Sequence, residues 1–184
     1  CAAVCPTGAI IIKNDSHRLW KELNQEDTIA VAQVAPAVRV AVAKEFGYNG
    51  ENVMGKIVAA LRRIGFNYIF DTSTAADLTV MEESKEFADR LANGGKLPLF
   101  TSCCPAWIKY AENEYPEILP NISTCRSPMQ MFASVINEKF KGEGKKILSV
   151  AIMPCTAKKG EAARDEFKDE NGKPLVDFVI TTQE

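Results

Sequence analysis

The stretch Ile147-Leu148-Ser149-Val150-Ala151-Ile152-Met153-Pro154-Cys155-Thr156-Ala157-Lys158 decides the fold. It opens as a β-rich apolar run, predicts a strand over Ile147 to Met153, and is stopped by Pro154, which has no N–H to continue a ladder. A helical pattern then runs from Thr156 to Phe167. Strand, stop and helix in that order make the repeating unit of an α/β domain with a mainly parallel sheet.

Working outward, the same unit recurs. Further strands are expected over Ile29 to Val34, Tyr68 to Phe70, Leu97 to Thr101 and Phe178 to Thr181. Helices are expected over Ala37 to Phe46, Asn52 to Ile64, Ala76 to Ala92, Ala106 to Glu114 and Pro128 to Phe140. Val34-Ala35-Pro36, Thr101 to Cys104 and Met153-Pro154-Cys155 each fall where a strand ends and a helix begins. Open α/β sheets bind their ligands at such positions, so one crevice is expected to gather all three. The glycine- and charge-rich run Lys141 to Lys146 reads as a surface turn.

The composition suits a domain with one sizeable core. The chain has 184 residues, 46% of them hydrophobic and 25% charged, and a net charge of −2 from 22 basic and 24 acidic side chains mixed along its length. That balance excludes a basic nucleic-acid footprint and a polybasic membrane surface. The longest apolar stretch, Ile29 to Val42, is broken by Gln33, Pro36 and Arg39, so no membrane insertion is expected. With no secretory signal at its start, the chain is expected to be cytoplasmic.

Cysteine placement points to metal or redox chemistry. The six cysteines stand at 1, 5, 103, 104, 125 and 155, which is not the spacing of a small disulfide scaffold. Cys1-Ala2-Ala3-Val4-Cys5-Pro6 matches the last part of the ferredoxin pattern C-x2-C-x2-C-x3-C-P, making Cys1 and Cys5 candidate ligands of an accessory 4Fe-4S cluster. Residues 1–27 are accordingly expected to be the tail of a ferredoxin-like module and a polar linker, with 28–184 the main domain. The chain itself is expected to be a fragment or a processed product.

Cys103 and Cys104 sit in a turn before a helix, where N–H groups favour the thiolate form that binds metal. Cys155 repeats the arrangement, with Lys158 one turn into the next helix and able to offer an ammonium to an anionic group. The plainer readings are buried small thiols and, for Lys158 and Lys159, a solvated helix face. A zinc site from these cysteines and the single histidine, His17, would have poor spacing.

Taken together, Thr101-Ser102-Cys103-Cys104-Pro105-Ala106-Trp107 and Met153-Pro154-Cys155-Thr156-Ala157-Lys158, with Glu161 three residues beyond the lysine, resemble the first two cluster-binding signatures of FeFe (iron-only) hydrogenases. The resemblance extends through Ala35-Pro36-Ala37-Val38-Arg39 to Val179-Ile180-Thr181-Thr182-Gln183-Glu184. It implies the large-domain fold of that family and reversible H2 oxidation and proton reduction at an H-cluster, a 4Fe-4S cubane linked to a di-iron unit with CO, cyanide and azadithiolate. Accessory clusters, an electron carrier such as ferredoxin, and maturation proteins as partners are implied with it.

Matched by position, Cys104 and Cys155 would ligate the cubane and Cys103 would be the terminal proton donor and acceptor. Lys158 would hydrogen-bond a cyanide, Met153 would pack near the bridging carbonyl, and Ala35, Pro36 and Ala37 would line the distal iron. The resemblance implies a proton relay from Cys103 through Glu83, Glu86 and Ser123, with Arg90 four residues beyond Glu86. Some members carry serine where Ala37 stands, and many carry glutamine where Met129 follows Ser127-Pro128. Cys125 matches no ligand position and reads as a packed thiol. A cubane takes about four thiolates, so two further ligands are expected after Glu184, and the 184-residue chain alone is expected to be inactive. A non-catalytic iron–sulfur assembly or H2-sensing relative is the alternative, although such relatives tend to lose the thiol or the lysine that Cys103 and Lys158 supply here.

Overall fold

A computed structural model of the chain describes residues 4–184, so Cys1 lies outside the described residues. Four strands, β1 (Thr28–Val34), β2 (Tyr68–Asp71), β3 (Lys146–Met153) and β4 (Phe178–Thr181), form one sheet in the order β2-β1-β3-β4, with every neighbouring pair parallel. Among the described residues the helices are α1 (Ser16–Leu23), α2 (Pro36–Glu45), α3 (Met54–Ile64), α4 (Ser73–Asn93), α5 (Pro105–Glu114), α6 (Pro128–Lys139) and α7 (Ala157–Ala162). The 3-10 turns Pro116–Asn121 and Asp165–Phe167 also lie among the described residues.

A parallel strand in mid-sheet must be covered on both faces, and β1 shows how this is done. Ala30, Ala32 and Val34 join a core with Leu19 of α1, Val38 of α2 and Leu61 of α3. On the alternate face, Ile29 and Val31 pack with Ala75 of α4 and Phe132 and Ile136 of α6. Gln33 is polar yet fully buried on this strand, and its Nε2 donates to the Met129 carbonyl at 3.0 Å while its Oε1 accepts from the Thr72 hydroxyl at 3.4 Å. It therefore ties β1 to the starts of both α6 and α4.

The connections run in opposite directions from the sheet centre. From β1 the chain leaves through α2 and α3 to β2 on one side, whereas from β3 it leaves through α7 to β4 on the other. The ends of β1 and β3 thus form a topological switch point, the crevice that open α/β sheets use for ligands. Register brings Val34 opposite Ile152, and the Ala35 N–H donates to the Ile152 carbonyl at 3.0 Å, so Ala35-Pro36 and Met153-Pro154-Cys155 lie side by side.

Two expectations are corrected. Leu97 to Thr101 forms no strand: it makes a single bridge between Phe100 and Ile122, because Pro98 lacks a donor and the segment has no sheet edge to join. The expected helix Thr156 to Phe167 is split into α7 and the 3-10 turn Asp165–Phe167. Residues 13–27, expected as a polar linker, contain α1, whose Leu19 is in the core.

Helix α1 is held by a group of nearly buried charges. The Lys159 ammonium reaches Asp15 Oδ2 at 3.1 Å, Glu184 Oε1 at 3.0 Å and the Val179 carbonyl at 2.7 Å, while the Asp15 N–H donates to Glu184 Oε1 at 2.7 Å. Side-chain exposure is 14% for Lys159, 9% for Asp15 and 5% for Glu184, so removing the cation leaves buried Glu184 without one, while Asp15 keeps Arg18 and Lys13 at its other oxygen. Lys159→Met is expected to lower stability by about 3 kcal/mol in a urea titration and to speed hydrogen exchange in α1. Unchanged stability would show that the cluster does not hold the helix.

Candidate functional site

The site grows from the C-terminal edge of the sheet. Cys104 is the residue that precedes α5 and Pro105 its first, so the orphan N–H groups of that helix face the turn that carries Cys103 and Cys104. Both thiol residues are exposed, as are Pro36, Ala37 and Pro154 around them, whereas Cys155 is half-buried and Ala35 and Met153 are buried. The crevice is therefore open on one side and floored by β1 and β3.

Lys158 ties the two cysteine turns together. Its ammonium donates to the Cys103 carbonyl at 2.8 Å and to Glu161 Oε2 at 2.6 Å, and Glu161 is buried with its other oxygen taking the Ser127 hydroxyl proton. Ser127 in turn caps α6, accepting from the Gln130 N–H at 3.4 Å. Neither Lys158 nor Lys159 belongs to a solvated helix face. Glu161 is a site residue to which sequence reasoning assigned no role, although its i, i+3 spacing from Lys158 was the available signal.

A second group lies along α4. The Glu86 carboxylate accepts from Arg90 at 2.6 and 3.1 Å, from the Ser123 hydroxyl at 2.9 Å and from the Thr124 N–H at 3.0 Å. The Cys125 thiol also donates to Glu86, with sulfur 3.7 Å from Oε2. Arg90 anchors the group by donating to the carbonyls of Lys96, Pro120 and Ile122. Burial alone would push the Glu86 carboxyl upward, but the Ser123 hydroxyl, Arg90 and the Thr124 N–H outweigh it and hold the group below its ordinary value of 4.5. Glu83, one turn earlier, has a buried Oε1 with no hydrogen-bond partner among the described residues.

The structure thus brings together Glu86, Arg90 and Ser123, and separately Cys103 and Lys158. It shows no hydrogen bond from Glu83 to Ser123 or Cys103. Cys125 is more than a packed thiol: burial first, then the charges of Glu86 and Glu83, raise its pKa above 9.0 despite the Ser123 hydroxyl. Cys5 goes the other way, lowered from 9.0 to about 7 by the Thr7 hydroxyl and by the N–H groups of Ile10 and Thr7. His17 belongs to neither group.

Two clefts flank the relay residues. One of about 430 Å³ is lined by Ser102, Ser123, Cys125, Ser127, Glu161 and Arg164, among others, and so borders the Lys158 anchor. The other, of about 500 Å³, is lined by Glu82, Glu86, Asp89, Arg90, Thr124 and Cys125 and shares Thr124 and Cys125 with the first.

As a holder for an iron–sulfur group, the donor set fits in part. Cys104 and Cys155 stand on two turns linked by the Lys158 ammonium, which follows Cys155 in the chain and is bound to the Cys103 carbonyl, and a cation beside the thiols suits an anionic cluster. Among the described residues no three His, Cys, Asp or Glu side chains converge as a complete metal site, so these two thiols are about half of the set a cubane takes.

A parallel α/β domain with paired cysteine turns at its switch point is the class that fold and site define. Residues 28–184 match the family described as iron only hydrogenase large subunit, C-terminal domain, and the chain belongs to that family. It is 45% identical over 195 aligned residues to the NADP-reducing hydrogenase subunit HndD of Solidesulfovibrio fructosivorans, covering 100% of this chain and 33% of that protein. Against the cytosolic iron-sulfur assembly component 3 of Bos taurus the identity is 36% over 200 residues, covering 98% of this chain and 42% of that one. The apo FeFe hydrogenase HydA1 of Chlamydomonas reinhardtii, as a variant, superposes with a TM-score of 0.85 at 38% identity, covering 92% of this chain and 46% of that one. The chain therefore spans a third to under half of these relatives' lengths.

Three carboxylates at the site and the α1 anchor have folded pKa values below their ordinary ones, namely 3.8 for Asp15 and 4.5 for Glu86 and Glu184. Groups depressed by folding stabilise the native state when ionised, so the contribution is complete above about pH 5 and is lost as pH falls through the folded values. Urea midpoints are expected to stay level from neutral pH to about pH 5 and to drop below it. Glu86→Gln should flatten part of that drop, and an unchanged profile would count against the ionised network.

Proposed function

We propose that this chain is the cluster-holding part of an FeFe hydrogenase that interconverts H2 with protons and electrons, the geometry of Lys158 being the observation that carries the reading. A buried carboxylate, Glu161, and a carbonyl, that of Cys103, hold an ammonium at the mouth of the crevice between the two cysteine turns. A cation beside the two cysteine turns supports the reading that an anionic iron–sulfur group is held by Cys104 and Cys155. The H-cluster would supply the redox chemistry when bound.

The chain's own residues would do four things. Cys104 and Cys155 would ligate the cubane, with further thiolates from elsewhere in the protein. Lys158 would donate to a cyanide, and buried Met153 with Ala35, Pro36 and Ala37 would shape the wall facing the di-iron unit and exclude water there. Cys103 would exchange a proton with that unit, and Glu83, Glu86 and Ser123 would carry it to and from solvent, with Arg90 keeping Glu86 ionised at rest. Met129, where many members have glutamine, is buried and offers no side-chain donor, so the wall there is apolar.

Cys5, depressed to about 7, is suited to ligate an accessory cluster together with Cys1, and residues 1–27 would belong to that electron-entry module. Ferredoxin or another carrier would supply the electrons, and maturation proteins the di-iron unit. No helix among the described residues is long and apolar enough to cross a membrane. A non-catalytic iron–sulfur assembly role is the second reading, favoured by the 36% identity to that relative. The presence of both Cys103 and Lys158 tips the balance to the hydrogenase.

The test is the complete reading frame expressed with the hydrogenase maturation machinery. Infrared CO and CN bands together with H2 evolution are expected, and Cys103→Ala should keep the bands while cutting turnover by roughly 10² or more. A fully loaded protein that neither evolves nor consumes H2 would overturn the reading in favour of the assembly role.

A further inference from the structure

Helix α7 has six residues, too few to be stable by its own hydrogen bonds, so its position is set by what its side chains grip. Ala162 seats its C-terminal end in the core, but its first turn contributes no side chain to the apolar clusters and is held by the lysines. Lys158 is bound to Glu161 of the same helix and to the Cys103 carbonyl. Lys159 grips elements beyond the helix: Asp15 just before α1, Glu184 just after β4, and the Val179 carbonyl within β4.

The carboxylate opposite Lys159 is itself fixed at both oxygens. Glu184 Oε1 also accepts the Asp15 N–H, and its Oε2 accepts the Thr181 N–H at 2.8 Å and the Thr181 hydroxyl at 3.0 Å. Asp15 meets Lys13 and Arg18 as well, whereas Lys159 is the cation that meets Glu184 among the described residues. The Lys159 ammonium is thus the point at which the N-terminal segment, the end of β4 and the first turn of α7 meet.

We propose that Lys159 is a positioning residue for Lys158, a role resting on the hydrogenase reading above. By fixing the first turn of α7 to α1 and β4, it sets where the neighbouring ammonium stands beside the cysteine turns. The contact it guards has little slack: a shift of about 1 Å in that turn takes the 2.8 Å bond from Lys158 to the Cys103 carbonyl past hydrogen-bond range. Because Asp15 belongs to the segment leading into the main domain, the seating of that segment is felt at Lys158 through one residue. The plainer role, a staple for α1 alone, would leave Lys158 to Glu161 and Ser127, and the two roles differ in what happens at Lys158 when Lys159 is lost.

Amine acylation of the chain by an active ester, read residue by residue in a mass spectrometer, separates them. Lys159→Met and, independently, Glu184→Gln are expected to speed acylation of Lys158 about fivefold. Lys173, which reaches the Ile147 carbonyl near the opposite end of β3, should keep its rate. An unchanged Lys158 in both variants overturns the proposal, and equal acceleration at both lysines does so too, since it marks general loosening. In the complete, cluster-loaded protein, Lys159→Met should displace the infrared CN bands and lower H2 turnover about tenfold. Faster acylation of Lys158 with bands and turnover unmoved would refute the functional link. If the unmutated protein is fully loaded yet neither evolves nor consumes H2, the hydrogenase reading falls, whereas the acylation result still decides how Lys158 is held.

Discussion

The parallel pairing of β1 with β3 is the constraint on which the rest depends. It runs in register from Thr28 opposite Lys146 to Val34 opposite Ile152, with both strands buried almost throughout. Because a shift of one residue would turn every side chain to the other face, helices α2 and α3 against one side and α4 and α6 against the other lock the register. Two proline-terminated turns, at Ala35-Pro36 and Met153-Pro154, are then forced to the same edge at the same height. The remaining cysteine turn, before α5, reaches that edge by a loop rather than a strand, and the Lys158 to Cys103 contact fastens it there.

The paired lysines of α7 divide the work of assembly. Being consecutive, they leave a short helix in different directions: Lys158 reaches the Cys103 turn and Glu161, while Lys159 reaches Asp15, Glu184 and the end of β4. Each ammonium meets carboxylate and carbonyl together, which is what a nearly buried cation requires if its desolvation is to be offset. An arginine could not fill either place with the same compactness, since its planar fork spreads its donors. The segment behind Cys155 is thus fastened to the N-terminal helix on one side and to the second cysteine turn on the other.

The sheet was readable because its signal is strong: Phe178 to Thr181 is the strand as expected, and Ile29 to Val34 and Ile147 to Met153 each gain one residue at the start. Apolar runs buried on both faces leave little ambiguity. Leu97 to Thr101 failed because its composition is that of a strand while Pro98 denies it a ladder and no partner edge lies beside it. Helix α1 was missed because only Leu19 of its eight residues is fully buried and its surroundings are polar, so the segment resembles a linker until Lys159 and Glu184 are seen to hold Asp15. In the site, the paired cysteine motifs and the Glu86 to Arg90 spacing were legible from local sequence. The Ser127 to Glu161 and Cys125 to Glu86 contacts were not, since each joins residues more than thirty positions apart.

The cysteines show why residue type alone does not assign chemistry. Cys5, half-buried and supplied with donors by Thr7 and nearby N–H groups, is moved toward the thiolate, the state of a metal ligand. Cys125, half-buried and hydrogen-bonded to Glu86, is moved by burial toward the thiol, the state of a hydrogen-bond donor. A metal cation would meet opposite welcomes at the two: at Cys5 the sulfur is ready to lose its proton, whereas at Cys125 the proton is what makes the sulfur compatible with the carboxylate 3.7 Å away. The same side chain is drawn toward opposite protonation states because its neighbours decide which is favoured, and those neighbours are placed by α4, the loop after Asn121 and the N-terminal turn rather than by the cysteines themselves.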